Sequence, residues 1–198
     1  MSSQATALVD LVTGRTVSAV LHDDLDELRL IDGEIEWSPI RLRSLRQMIA
    51  SGQATLPQHI HWNWAVKAVQ NRLLAYRTLG IEAAGTMQGL MMVILTGHLA
   101  RLEPDRNKPV VYVEFLETAP WNSREFTEMP TFKGVGTRLI EAAVRLSYDE
   151  GYSGRVGLHS LPQASRFYVE GCGMTNLGSD PDYHDLPYLE SPASRSKR

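Results

Sequence analysis

The stretch Thr131-Phe132-Lys133-Gly134-Val135-Gly136-Thr137-Arg138-Leu139-Ile140 sets two glycines at the start of a helical pattern. A glycine turn that opens a helix gathers unpaired backbone N–H groups and the positive end of the helix dipole at one point. Such a point binds anions, most often phosphate. Lys133 and Arg138 add positive charge beside it. Shortly upstream runs the apolar segment Val110-Val111-Tyr112-Val113-Glu114-Phe115-Leu116, followed by Glu117 and Thr118. Strand alternation puts Tyr112, Glu114, Leu116 and Thr118 on one face and Glu117 on the other. A carboxylate partly desolvated in a strand has a raised pKa and can take a proton near neutrality. One strand later, Ala164-Ser165-Arg166-Phe167-Tyr168 supplies a phenol.

This order of strand, glycine turn, helix, strand and Tyr-bearing helix resembles the GNAT superfamily of acyl-coenzyme A N-acyltransferases, over about Gln88 to Met174. The family's pyrophosphate loop reads Gln/Arg-x-x-Gly-x-Gly/Ala. Here both glycines are present, and Thr131 stands in the Gln/Arg place. The later motif, roughly Asn-x-x-Ala-x-x-x-Tyr, is matched by Ala164 and Tyr168, with Leu161 where Asn is usual. Gly173-Met174 is similar to the Gly-Phe that follows it.

The resemblance implies one mixed α/β (α+β) domain over residues 1–190, with a flexible basic tail at 191–198. Its twisted, largely antiparallel sheet would have six or seven strands, flanked by about four helices. It implies acetyl-CoA as co-substrate, no metal, and acetyl transfer to a primary amine by direct attack. Lys133, Gly134, Val135, Gly136, Thr137 and Arg138 would hold the pyrophosphate. The backbone of Leu116, Glu117 and Thr118 would pair with the pantetheine arm and polarise the thioester, with Ser160, Gln163 and Phe167 as further coenzyme contacts. Tyr168 would protonate the departing thiolate, a role that suits a phenol because its pKa lies above that of a thiol. The reacting amine would lie on the face that carries Glu114, which makes Glu114 the candidate base; Glu117 and water stay open for that role. A domain that binds acyl-CoA without turnover is the other class of function. Intact Tyr168 favours the enzyme, and Thr131 and Leu161 favour the binding module.

Other chemistries lack their motifs. Leu139 stands where a dinucleotide fold would need its third glycine. No Walker-type phosphate loop and no Gly-x-Ser-x-Gly elbow is present. The six histidines, 22, 59, 61, 98, 159 and 184, form no helical metal pair. A net charge of −3 argues against a protein whose main task is gripping a nucleic-acid backbone. The group Arg41, Arg43 and Arg46 keeps a local basic patch open. Cys172, the lone cysteine, forms no internal disulfide and points to a reducing compartment. Met1–Thr6 lacks a basic region followed by an apolar one, and no apolar run approaches the ~20 residues that span a bilayer. The expectation is a cytoplasmic protein with a small-molecule or peptide amine as partner, no membrane contact, and a homodimer left open.

The elements that must position these residues follow from periodicity. Leu8–Val12 and Arg15–Leu21 read as a hairpin around Thr13-Gly14. Ser38-Pro39 reads as a helix start, with Leu42, Leu45 and Ile49 on one face and Gly52 as the stop. After Pro57, the spacing of Trp62, Val66, Val69, Leu73 and Tyr76 predicts an amphipathic helix ending at Gly80. In that reading Trp62 packs in the core and Trp64 faces a cleft or a partner. Strands are expected over 81–84, 89–96, 110–118, 155–160, 174–177 and 184–189, and a helix over 135–150. The long connection 121–133, with Trp121, Asn122 and Glu125, is placed to shape acceptor choice together with the helices between Ser38 and Gly80.

Overall fold

The computed structural model describes residues 2–53, 55–70 and 74–191. Nine strands are present among them: β1 (Ser2–Asp10), β2 (Thr16–Asp23), β3 (Tyr76–Ala83), β4 (Thr86–Ile94), β5 (Val111–Thr118), β6 (Phe132–Lys133), β7 (Val156–His159), β8 (Thr175–Asp180) and β9 (Leu186–Ser191). Their order in the sheet is β6-β1-β2-β3-β4-β5-β7-β9-β8. Three α-helices, α1 (Glu27–Ala50), α2 (Trp64–Gln70) and α3 (Val135–Asp149), are joined by a fourth helical segment of π-type turns at Phe167–Gly171. The mixed α/β class and the number of helices agree with expectation. The sheet is larger than the six or seven strands expected: every segment read as a strand pairs, and the two-residue β6 adds an edge beside β1. No helix among the described residues is long and apolar enough to cross a membrane. Apart from Ser191, the expected basic tail lies outside the described residues.

Internal contacts group the chain into two compact units. The first comprises Met1–Leu74, Thr78–Leu90 and Glu117–Gly136; the second comprises Ala75–Arg77, Met91–Leu116 and Thr137–Arg198. In the first, the β1–β2 hairpin is closed by Asp10, whose Oδ1 accepts from the N–H groups of Val12 and Thr13, with Gly14 at φ +68°. β1 pairs with β6 on its other edge, and β2 pairs with β3. Helix α1 starts eleven residues before Ser38, at a cap where Asp26 accepts from the Arg29 N–H. Pro39 therefore lies inside the helix rather than opening it. Pro39 and Ile35 both lie on the exposed side. Water can serve the Ile35 carbonyl that a proline leaves without a donor. The buried face runs through Leu30, Gly33, Glu34, Trp37, Arg41, Ser44 and Met48. Trp37 is fully buried, and its indole N–H donates to the Met87 carbonyl at 3.0 Å. A Cβ at Gly33 would come within 3.2 Å of Leu90, so this helix sits close to the strand beneath it.

Helix α2 is short, and its phase is the reverse of the reading from spacing. Val66 and Val69 are exposed, whereas Trp64, Lys67 and Ala68 are buried. Trp64 is 0% exposed, so the residue expected at a cleft or partner surface is a core residue, and Trp62 is half-buried. Tyr76 opens β3, and Leu73 lies outside the described residues.

In the second unit β5 pairs in parallel with β7, β7 antiparallel with β9, and β9 antiparallel with β8. Helix α3 buries Leu139, Ala142, Ala143 and Leu146, the face expected from their spacing. Ser147 donates to the Arg155 carbonyl, and the Tyr152 hydroxyl donates to the Leu95 carbonyl.

Candidate active site

The glycine turn is held by sheet pairing. Lys133 sits opposite Val9 at the end of β6, and the chain then turns through Gly134 at φ +101° into α3. That backbone conformation strains any L side chain, which is why glycine stands there. The first N–H groups of α3, at Val135, Gly136 and Thr137, come before any i−4 carbonyl of the helix. Val135 is buried and anchors the first turn, Gly136 and Thr137 are half-buried, and Lys133 and Arg138 are exposed. Arg138 reaches Glu141 at 2.6 Å. This turn fits an anionic phosphate.

Strand β5 changes surroundings along its length. Its ladder with β7 runs Val111↔Val156, Tyr112↔Gly157 and Val113↔Leu158 and stops there, although β5 continues to Thr118. Glu114, Leu116 and Thr118 are half-buried. The Glu114 charge helps raise the Tyr76 and Tyr112 phenols, after the larger effect of their burial.

Glu117 is buried at the centre of a charged cluster in the first unit. Its Oε2 accepts from the Trp64 indole at 2.7 Å. Its Oε1 lies 3.3 Å from Arg41 Nη2 but accepts no hydrogen bond, and Arg41 Nε and Nη2 are likewise left without acceptors. Arg41 Nη1 donates to Glu34 Oε1 at 3.1 Å and to the Trp62 carbonyl at 2.6 Å. Glu34 Oε2 accepts the Trp64 N–H at 2.9 Å, which fastens the start of α2 to α1. Burial pushes the Glu117 carboxyl up to about 7; the Arg41 guanidinium and the Trp64 N–H oppose the rise. His59 stands 3.9 Å from Glu117 and 3.7 Å from Glu125, beyond hydrogen-bond reach of both. Burial holds its imidazole down at about 4, with Arg41 and His61 adding to the effect, so it is neutral at ordinary pH. Burial also raises the Glu125 carboxyl. Trp62 and Phe126 meet the His59 ring edge-on, and the Lys67 ammonium lies 4.7 Å from the Trp62 ring centre. A buried carboxylate oxygen with no donor is uncommon in folded proteins.

The long connection after β5 is pinned by Gln88. This buried amide accepts from the Trp121 indole at 2.8 Å and from Asn122 Nδ2 at 2.9 Å, while its own N–H₂ donates to Thr86 Oγ1 and the Ala83 carbonyl. The Gln88 carbonyl accepts the Ala119 N–H at 2.9 Å. Asn122 Oδ1 in turn accepts the Phe132 N–H at 2.9 Å, one residue before Lys133. Thr131, in the Gln/Arg place of the resembled motif, uses its backbone N–H on the Trp121 carbonyl and its carbonyl on the Leu11 N–H.

In the second unit, Tyr168 is buried among the π-type turns and packs edge-on against Phe167 at 5.0 Å. Burial, with a smaller effect from Cys172, raises its phenol above the ordinary value. Burial lifts the Cys172 thiol to about 11. Ser160 donates to the Leu161 carbonyl at 2.8 Å and accepts from Ser165 at 3.1 Å. Gln163 is exposed and Phe167 half-buried.

Spacing did not reveal Glu34, Arg41, His59 or Gln88. Glu34 and Arg41 are seven residues apart and share a helix face, but only if α1 is read as starting before Ser38. Of the three arginines expected together, Arg41 turns inward to the carboxylates, and Arg43 and Arg46 are exposed.

No protein-family model matches the sequence, and no curated protein matches it. Solved structures do. An aminoglycoside 6'-acetyltransferase type Ii aligns over 88% of this chain and 97% of its own, at 13% identity and a TM-score of 0.55. RimJ of Mycobacterium smegmatis, solved with CoA-disulfide, aligns over 100% of this chain and 90% of its own, at 13% identity and a TM-score of 0.53. A GNAT-family protein of Desulfovibrio desulfuricans aligns over 89% of this chain and 99% of its own, at 11% identity and a TM-score of 0.54. The fold of this chain is the GNAT fold.

Proposed function

We propose that this chain is an acyl-CoA-dependent N-acyltransferase that moves acetyl from acetyl-CoA to a primary amine by direct attack. The observation that carries the reading is Glu117: a buried carboxylate near neutral pKa, at the end of β5, with one oxygen that accepts no hydrogen bond. Glu117 rather than Glu114 is the base in this proposal, because burial raises the Glu117 carboxyl to about 7, where it can take and release a proton. Glu117 Oε1 takes the proton that the ammonium must lose. The neutral amine nitrogen attacks the thioester carbonyl carbon, the carbon–sulfur bond breaks, the thiolate receives a proton from Tyr168, and the second proton shed by the nitrogen returns to the Tyr168 phenolate through water. Burial keeps that phenol protonated until it is needed. The turn from Lys133 to Arg138 holds the pyrophosphate, mostly through backbone N–H groups. The β5 backbone at Leu116, Glu117 and Thr118, past the end of the β7 ladder, holds the pantetheine arm. Ser160, Gln163 and Phe167 flank the coenzyme on the Tyr168 side.

The acceptor is a small or peptide-borne cationic amine. Glu117 and Glu125, with Trp62 and Phe126 beside them, supply carboxylates and ring faces that suit it. The aminoglycoside named for one of the structural relatives belongs to that chemical class. Leu161 favours a second reading, coenzyme binding without turnover, because leucine offers no side-chain hydrogen bond where the resembled motif has Asn.

Thioester consumption across a broad amine panel separates the two readings. Tyr168→Phe is expected to bind coenzyme normally and to turn over ~10²- to 10⁴-fold more slowly. Full turnover in that variant reduces Tyr168 to a structural residue. Gly136→Asp is expected to abolish coenzyme binding in calorimetry, and unchanged affinity would remove the pyrophosphate from this turn.

A further inference from the structure

Helix α1 buries Glu34, Arg41 and Ser44 and exposes Leu28, Ile35, Leu42 and Ile49. Leu28, Ile35, Leu42 and Ile49 recur every seven residues and are 70%, 65%, 46% and 62% exposed. On a 24-residue helix, about 36 Å long, this repeat draws one continuous apolar seam. The inward stripe cannot be traded for it, since Glu34 and Arg41 are already bonded to each other and to α2. A seven-residue apolar repeat is the pattern by which one helix packs lengthwise on another.

We propose that the outward seam of α1 is a homodimer interface, seated on the same seam of a second copy in antiparallel orientation. Two observations select that occupant. First, the seam is self-complementary. A two-fold axis near Pro39 lays the Leu28–Ile35 half of one helix along the Leu42–Ile49 half of the other, as a closed symmetric contact requires. Beside Leu42 lies a depression of about 450 Å³ lined by Pro39, Leu42, Arg43, Arg46, Gln47 and Ala50. In this arrangement the partner copy's Ile35 faces that depression. Second, the charges match only in this orientation. Asp32 borders the first half of the seam and Arg46 the second, so the antiparallel pairing sets each Asp32 against the other copy's Arg46. A parallel pairing sets like charges together.

Sedimentation velocity of the full chain over a wide concentration range tests this. A reversible dimer is expected, weakened about 30-fold or more by Leu42→Glu or Ile35→Glu, both at exposed positions that leave the fold intact by circular dichroism. Asp32→Arg alone and Arg46→Asp alone should each weaken the dimer, and the two together should restore it. Ser38→Cys, beside the axis, should give a covalent dimer on mild oxidation. A monomer at every concentration, a dimer indifferent to the glutamate substitutions, or failure of the charge exchange to rescue would overturn the proposal. So would a monomer that uses this face to bind anionic lipid vesicles.

Discussion

Two buried polar networks, one in each unit, are built from the same residue types and are finished to different degrees. In the second unit the Tyr112 hydroxyl meets His159 Nδ1 at 2.7 Å, and His159 Nε2 meets Asp180 Oδ2 at 3.0 Å. Arg101 reaches the same Asp180 oxygen at 2.7 Å, and Asp180 Oδ1 accepts the Asp182 N–H. His98 stacks on Tyr112 and Tyr183 stacks on His159 at 3.9 and 3.7 Å between ring centres. Glu190 accepts the N–H groups of Arg101 and Leu102. Hydrogen bonds to Arg101 and His159 hold the Asp180 carboxyl down at about 2, so it stays ionised. In the first unit Arg41 and Glu117 face each other, yet three of their polar atoms go without hydrogen bonds. A fully satisfied network rigidifies and specifies its core, whereas unsatisfied buried polar atoms are costly. In the proposed function the Glu117 cluster carries the chemistry and the His159 network the architecture.

The sharpest break of that contrast is Glu117→Gln. Turnover with an amine acceptor should fall ~10²- to 10⁴-fold with coenzyme affinity unchanged. The rise in kcat/KM with pH, centred near the Glu117 value of about 7, should disappear in steady-state profiles. Stability should move the other way. The folded pKa lies above the ordinary 4.5, so Glu117 supports the fold while protonated, fully below that pH, and the support fades as pH rises through about 7. Thermal melts should therefore show the Gln protein gaining on the wild type as pH increases across that window. Equal turnover in the two proteins would make the cluster architectural after all.

Arg41→Met leaves Glu34 and Glu117 buried without their cation. Breaking a buried pair in this way costs about 3–5 kcal/mol, readable in urea unfolding. If enough folded protein remains to assay, the Glu117 limb should shift to higher pH, because Arg41 is what restrains that pKa. A limb that stays in place would detach Arg41 from the chemistry. The smallest effect is expected in the other network. Tyr112→Phe removes one hydrogen bond to His159 and should cost about 1 kcal/mol in the same unfolding experiment. It should leave acceptor turnover unchanged; a large loss there would bring the His159 network into the reaction.

The parts of the fold that sequence reading reached are those where burial and periodicity agree. Val135, Leu139, Ala142 and Leu146 face inward as their spacing requires, and β4 is apolar from Leu90 to Ile94 because it is buried along nearly its whole length. Helix α1 defeated the same reasoning because its pattern is inverted. Its buried face includes Glu34, Arg41 and Ser44, its exposed side carries Leu28, Ile35, Leu42 and Ile49 among charged residues, and Pro39 mimics a start signal in its interior. The glycine turn was legible because its geometry is local, with Gly134 at φ +101° directly before α3. The Glu117 cluster was not, since it joins α1, the residues before α2, the end of β5 and the 121–133 connection, and no short spacing encodes such a meeting.

Gln88 also has a consequence for how this scaffold could diversify. Through Ala119, Trp121 and Asn122 it fixes where the connection leaves β5, and through Asn122 and Phe132 the same fastening reaches the point where the chain re-enters the sheet. Residues 123–130 are thus a cassette mounted between two clamped ends. Its length and composition can be exchanged while the strand end and the glycine turn keep their places, which, under the proposed function, is a means of changing the accepted amine without rebuilding the coenzyme site.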